Sequence, residues 1–237
     1  MKKGFLILIY IQILISSTVV AQEYGNEWIN YSQKYYKLST AEDGFYRISY
    51  NELVSAGFPI STIDPRKIKL YHRGKEQSIF IAGQNDASFD PDDYLEFFGK
   101  RNDGTLDEEL YVTPEAQPHK YYNFYSDTTA YFLTWSLSEN GNRIIPFKEN
   151  NILNLPAEPY HFNEYIDVQT SNYSIGLHYP VGVPSAETYL TKFDHGEGWT
   201  GKAFRQGQYR DVLFSNLENV VTSGPKPILE VLLTGRN

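Results

Sequence analysis

The stretch "DHGEGWTGKAF", Asp194 to Phe204, decides between two classes of fold. Gly196, Gly198 and Gly201 spell G-x-G-x-x-G, the spacing of a dinucleotide-binding turn. That motif requires a strand before the glycines and a helix after them, so that the helix N-terminus meets a pyrophosphate. "TYLTKF" before it can supply a strand. "WTGKAFRQGQYR" after it is a poor helix, with Gly207 soon after Gly201 and alternating character beyond. No βαβ pattern surrounds it, and an isolated G-x-G-x-x-G is weak. The glycines therefore read as a tight connection between strands, with Trp199 and Phe204 available for packing.

The rest of the chain reads the same way. "GFYRISY" (44–50) alternates after an Asp43-Gly44 turn, with Phe45 and Arg47 on one face and Tyr46 and Ile48 on the other. "NELVSAG" (51–57) reads as one or two helical turns stopped by Gly57, and Pro59 blocks continuation. "RKIKLYHRG" (66–74) and "EQSIFIAG" (76–83) read as two strands around Gly74. "DPDDYLEFFG" (90–99) is an acidic turn and a strand closed by Gly99. "TAYFLTWS" (129–136) is a strong strand, with Ala130, Phe132 and Thr134 on one face and Tyr131, Leu133 and Trp135 on the other. "RIIPF" (143–147) suits an edge strand, because Pro146 cannot donate to a ladder. "NEYIDVQ", "ETYLTKF", "QYRDVLFS" and "PILEVLLTG" read as later strands. Residues 100–128 are polar and irregular, and a loop of that length is usually functional or mobile. The expected class is all-β, with sandwich or jelly-roll-like modules and at most one or two short helices.

Composition narrows the function. Lys2 and Lys3 precede the apolar run "GFLILIYIQILISSTVV", which ends at Ala21. This is the pattern of a secretory signal over 1–21, cut between Ala21 and Gln22. Gln12 interrupts the run, and no other segment approaches the roughly 18 apolar residues of a spanning helix. Removing 21 of 237 residues leaves 216, enough for one large β domain or two smaller ones. With Lys2 and Lys3 gone, 19 basic residues face 29 acidic ones, a net charge of −10. That balance argues against phosphate-backbone binding, so no nucleic-acid partner is expected. Zero cysteines exclude disulfides, thiolate zinc sites and a cysteine nucleophile. Pro156 and Pro159 mark a shift near residue 150. This suggests an N-terminal β domain over 22–150 and a second sandwich-like region over 151–237, unless the stretch is a long connection within one domain. The apolar ending "ILEVLLT" suggests that the second region is incomplete and the sequence a piece of a longer protein.

Candidate chemistry is sparse. Asp194, His195 and Glu197 cluster by the glycines, but a triad needs an aligned serine or cysteine. The nearest elbow, "NYSIG" around Ser174, has Asn172 where G-x-S-x-G needs glycine. The five histidines, His72, His119, His161, His178 and His195, form no close metal-binding pair. "QNDASFDPDD" offers Asp86, Asp90, Asp92 and Asp93, with Asn85, as hard oxygen ligands for calcium. The same residues equally make an acidic turn. Twenty tyrosines and Trp28, Trp135 and Trp199 leave a carbohydrate-binding sandwich as an alternative function.

Taken in order, "GFYRISYNELVSAGF", "KIKLYHRGKEQSIFIAG", "FDPDDYLEFFGKRNDG", "YSDTTAYFLTW" and "FDHGEGWTGKAF" resemble the N-terminal, non-catalytic region of the sortase-like subunit of the type IX secretion system. That family is gingipain-like cysteine peptidases of Bacteroidetes-type bacteria, and the resemblance spans roughly residues 25–237. It implies an exported protein of the periplasm, outer membrane or cell surface. Its partners would be a downstream peptidase domain and other secretion-system subunits. Full-length members remove the sorting domain of exported cargo and help attach the cargo to a surface lipid, using a cysteine nucleophile and a histidine base. This sequence has no cysteine to carry that role, so no catalytic residue is assigned. The exposed loop around 100–128 and the acidic turn at 85–93 are the expected contact surfaces.

Overall fold

The computed structural model describes residues 25–149, 155–176, 191–215 and 217–233. The expected signal and its cut between Ala21 and Gln22 lie outside the described residues, as does His178. The fold is all-β with few short helices, as the alternating segments require. Its strands are β1 (Tyr36–Thr40), β2 (Gly44–Ser49), β3 (Ile68–His72), β4 (Lys75–Gln77), β5 (Phe80–Ile81), β6 (Tyr94–Gly99), β7 (Thr129–Trp135), β8 (Asn172–Ile175) and β9 (Glu197–Thr200). Helix α1 (Tyr50–Ser55) is the one α-helix among the described residues; the other helical pieces are 3-10 turns. The sheets have the orders β1-β7-β3-β4, β2-β6-β5 and β8-β9. No helix among the described residues is long and apolar enough to cross a membrane.

The chain divides into two compact units that are interleaved in sequence. One holds the described residues up to Leu38, Ile48–Leu95 and Ala130–Arg143; the other holds Ser39–Arg47, Glu96–Thr129 and the described residues from Ile144 onward. The last crossing falls between Arg143 and Ile144.

In the first unit β7 is the central strand. It pairs antiparallel with β3, placing Leu133 opposite Leu70, both fully buried. The alternate face of β7 is covered too. Trp28 stacks on Tyr71 at 5.1 Å and meets Phe132 at 5.7 Å. Thr134 Oγ1 donates to the Lys34 carbonyl at 2.8 Å. Covering an aromatic side chain of this size contributes about 2–3 kcal/mol. Arg143 fastens the unit's last segment, donating to the carbonyls of Ile68 at 3.1 Å and Pro65 at 2.7 Å.

Three expectations for residues up to 147 need correction. The run 76–83 is not one strand. β4 ends at Gln77, Ile79 is buried and donates to the Asn142 carbonyl at 3.1 Å, and β5 joins a different sheet beside β6. Residues 144–147 are not an edge strand: beyond a single parallel bridge from Arg143 to Ile79 there is no ladder, and Ile145 and Phe147 are exposed. The region 100–128 is not an open loop. It carries 3-10 turns at Gly104–Leu110 and Pro114–Ala116 and buries Asp107, Tyr111 and Asn123.

In the second unit a ladder forms in two segments not read as strands, one of them just after the expected glycine turn. β8 lies in the "NYSIG" fragment and β9 in the glycine-rich stretch. Residues 163–169, 208–215 and 227–233, expected as strands, have none. An apolar alternating segment becomes a strand only with a ladder partner, and none is supplied to these three among the described residues. In "ETYLTKF", residues 187–190 lie outside the described residues, and Phe193 makes one parallel bridge to Tyr111.

Candidate docking surface and the glycine-rich turn

The 100–128 segment is organised around a buried carboxylate. Asp103 caps the first 3-10 turn, its side chain accepting from the Thr105 N–H at 3.1 Å. That turn points Asp107 inward, where it accepts from Asn123 Nδ2 at 2.6 Å and the Phe124 N–H at 2.9 Å. Asn123 Oδ1 in turn accepts the N–H groups of Tyr125 and Ser126 at 2.9 and 3.1 Å. A buried carboxylate is tolerated only when hydrogen-bonded in this way. Lys120 and Glu108 form an ion pair in the same segment.

The segment is clasped to β9 by two side chains. Tyr111 Oη donates to the Glu197 carbonyl at 2.7 Å, and Trp199 Nε1 donates to the Phe124 carbonyl at 3.2 Å. Phe124 fills the space between them, 4.5 Å from Phe193 and 5.8 Å from Tyr111 between ring centres. Gly198 is required here. Its φ is +144°, and a Cβ would stand 3.3 Å from the Phe124 ring and 3.4 Å from Tyr111 Oη.

Burial raises the phenol of Tyr111 above its ordinary range, helped by the charges of Asp107 and Glu197; it stays a donor. Burial likewise raises Tyr173, beside Glu197. Burial pulls the His119 imidazole below its usual value, partly offset by a bond to the Trp199 backbone. His119 Nδ1 accepts from the Tyr121 N–H at 3.3 Å. Asp107, Tyr111, Gln117, His119, Tyr122 and Trp199 line a cleft of about 10 Å³, where Gln117 Oε1 is buried without a hydrogen-bond partner. That is the size of one water, not of a substrate.

The motif residues of the glycine-rich turn are used structurally. The Glu197 N–H donates to the Asp194 carbonyl at 3.1 Å, closing the turn before β9. Asp194 Oδ1 accepts the His195 N–H at 2.7 Å, while Glu197 Oε2 accepts the Asp194 N–H at 3.1 Å. Glu197 Oε1 accepts the Tyr173 hydroxyl at 3.2 Å. His195 is exposed. Ser174 is buried in β8 opposite Gly198, facing the aromatic packing as a small side chain.

The other candidates sit apart. His72 stacks on Tyr131 at 4.2 Å, and His161 is exposed. In the acidic turn, Asp86 accepts the Ser88 N–H at 3.0 Å, Asp90 the Ser88 hydroxyl at 3.0 Å, and Asp93 the Asp90 N–H at 2.8 Å. Asp92 is exposed beside them. Gly83 makes room for Asp93: at φ +77°, its Cβ would fall 1.9 Å from Asp93 Oδ1. Among the described residues no group of three or more His, Cys, Asp or Glu is placed to hold a metal ion. Trp28, Trp135 and Trp199 are each half-buried against other rings of the chain, which gives the carbohydrate alternative no added support.

The clasped segment exposes several large apolar side chains among charged ones such as Glu109, Glu115 and Asp127. Leu106 is 60% exposed and Tyr125 76%, and Leu110, Val112 and Tyr121 are also exposed. Sequence reasoning missed Asp107 and Asn123. The available signal was the polar Asn123 set inside the aromatic run "YYNFY". No family model matches this chain, nor does any curated protein or solved structure.

Proposed function

We propose that this chain is a non-catalytic scaffold and docking region of an exported sortase-like cysteine peptidase of the type IX secretion system. In this reading it presents the peptidase domain and secretion-system subunits with a preformed surface, at the periplasm, outer membrane or cell surface. The observation that carries it is the 100–128 segment, fixed from within by Asp107 and Asn123 while Leu106, Leu110 and Tyr125 face outward. A rigid segment displaying apolar side chains loses little conformational freedom on association, which favours binding. The ordered motifs of the sequence support the family, and the absence of cysteine supports a non-catalytic role for this region.

The test is Leu106→Glu combined with Tyr125→Glu in the full-length protein in cells. The expected result is normal accumulation of the variant, with cargo retaining its sorting domain. Unchanged cargo processing at normal variant levels overturns the assignment.

A further inference from the structure

β2 ends the sheet β2-β6-β5, so one of its edges has no neighbouring strand among the described residues. Its outer face is unusual for a free edge. Phe45 is 73% exposed and pairs edge-on with Phe98 at 5.3 Å, and beside them Arg47 binds Glu96 at 2.7 Å. Natural edge strands are normally blunted by charge, proline or a bulge; an exposed aromatic pair invites another strand.

The same chain holds a segment suited to that place. Residues 227–233, "PILEVLL", run without helix, turn or bend, and every side chain is exposed, Ile228 at 94% and Leu229 at 73%. Laid antiparallel on β2 with Arg47 opposite Glu230, the segment puts Leu232 beside Phe45 and Ile228 beside Ser49 on the outer face. Val231 and Leu229 then fall beside Tyr46 and Ile48 on the inner face. Glu230 joins the Arg47–Glu96 pair from the acidic side of the guanidinium, and apolar meets apolar at Phe45, Tyr46 and Ile48; a slip by one residue reverses every face. We infer that the β2 edge is a docking site for residues 227–233 of a second copy of this chain. Reciprocal exchange covers both edges and closes a two-fold dimer. The inference does not depend on the family or on the function proposed above.

The chain has no native cysteine, which makes the pairing directly testable. Phe45→Cys and Leu232→Cys variants of the full chain, purified separately, mixed and oxidised, should form a mixed disulfide. A Phe45→Cys with Leu229→Cys mixture, in which the second thiol faces the opposite side, should form several-fold less. Sedimentation equilibrium of the unmodified chain should show a monomer–dimer equilibrium. Glu230→Arg should weaken it about fivefold, the scale of an opposed pair becoming a like-charge pair. Since Glu230 is exposed, its replacement leaves the monomer fold intact. A monomer at every concentration overturns the inference, as do open-ended polymers or equal disulfide yields in the two mixtures. A double variant Phe45→Cys, Leu232→Cys that closes only within one chain assigns the edge to the chain's own segment and overturns the second-copy assignment.

Discussion

Asp107 carries one of the few charges with almost no surface, 3% exposed, and its position is explained by what it holds rather than by what it attacks. Its two oxygens take an amide from Asn123 and a backbone N–H from Phe124, tying the start of the 100–128 segment to its end. Removing the carboxylate strands both donors away from water, and unpaired buried donors are costly. Asp107→Ala should lower the stability of the chain by about 2–4 kcal/mol, on the scale for breaking a buried charged hydrogen-bond network. An unchanged urea midpoint would refute the account of the segment as internally pinned. Glu197, by contrast, was attractive in sequence because it sits among glycines, yet its oxygens close a turn and receive a tyrosine.

Helix α1 is six residues long, too short to persist on propensity alone, and its N-terminus is held by a capping box. The Ser49 N–H and hydroxyl both donate to Glu52 Oε2 at 2.7 Å, and the Glu52 N–H returns to Ser49 Oγ at 3.4 Å. Leu53 buries its side chain beneath the helix. Ser49→Ala should cost about 1 kcal/mol. The bonds from the Ser49 backbone and hydroxyl hold the Glu52 carboxyl below its ordinary range. A folded-state pKa that is depressed adds stability above the unfolded value, about 4.3, and that addition is lost as pH falls through the folded value. Stability should therefore decline on acidification below about pH 5, partly through Glu52. Glu52→Gln, which removes the titrating carboxyl, should flatten that part of the profile. A Glu52→Gln profile parallel to the parent's across pH 3–6 would contradict Glu52 as a source of the acid loss.

Across the whole molecule, legibility in the sequence followed the presence of a local partner. β7 was readable because "TAYFLTW" alternates strongly and β3 lies opposite it with matching apolar residues. β2, α1 and β6 were readable because Gly44, Gly57 and Gly99 punctuate them. The interleaving of the two units was not readable, since chain order carries no mark of which strands share a sheet. Nor were β8 and β9: four-residue strands through "NYSI" and "EGWT" have weak propensity, and they form because Phe124, Tyr173 and Trp199 pack around Gly198. The same logic orders the molecule by resistance to opening. Around Arg143 the backbone is tied by the guanidinium to two carbonyls, and Lys69 lies in β3 between β7 and β4. Around Lys202, Arg205 and Arg210 the bonds are few and exposed: Arg210 reaches the Lys202 carbonyl at 3.3 Å and Gln169 Oε1 at 3.2 Å, while Phe204, Tyr209 and Leu213 are exposed. Local opening is easiest where few contacts must break. Brief trypsin treatment should therefore cut first after Lys202, Arg205 or Arg210, leaving the bonds after Lys69 and Arg143 intact until the chain unfolds. Intact-mass analysis of the first fragments decides it, and early release of a fragment ending at Arg143 would reverse this ordering.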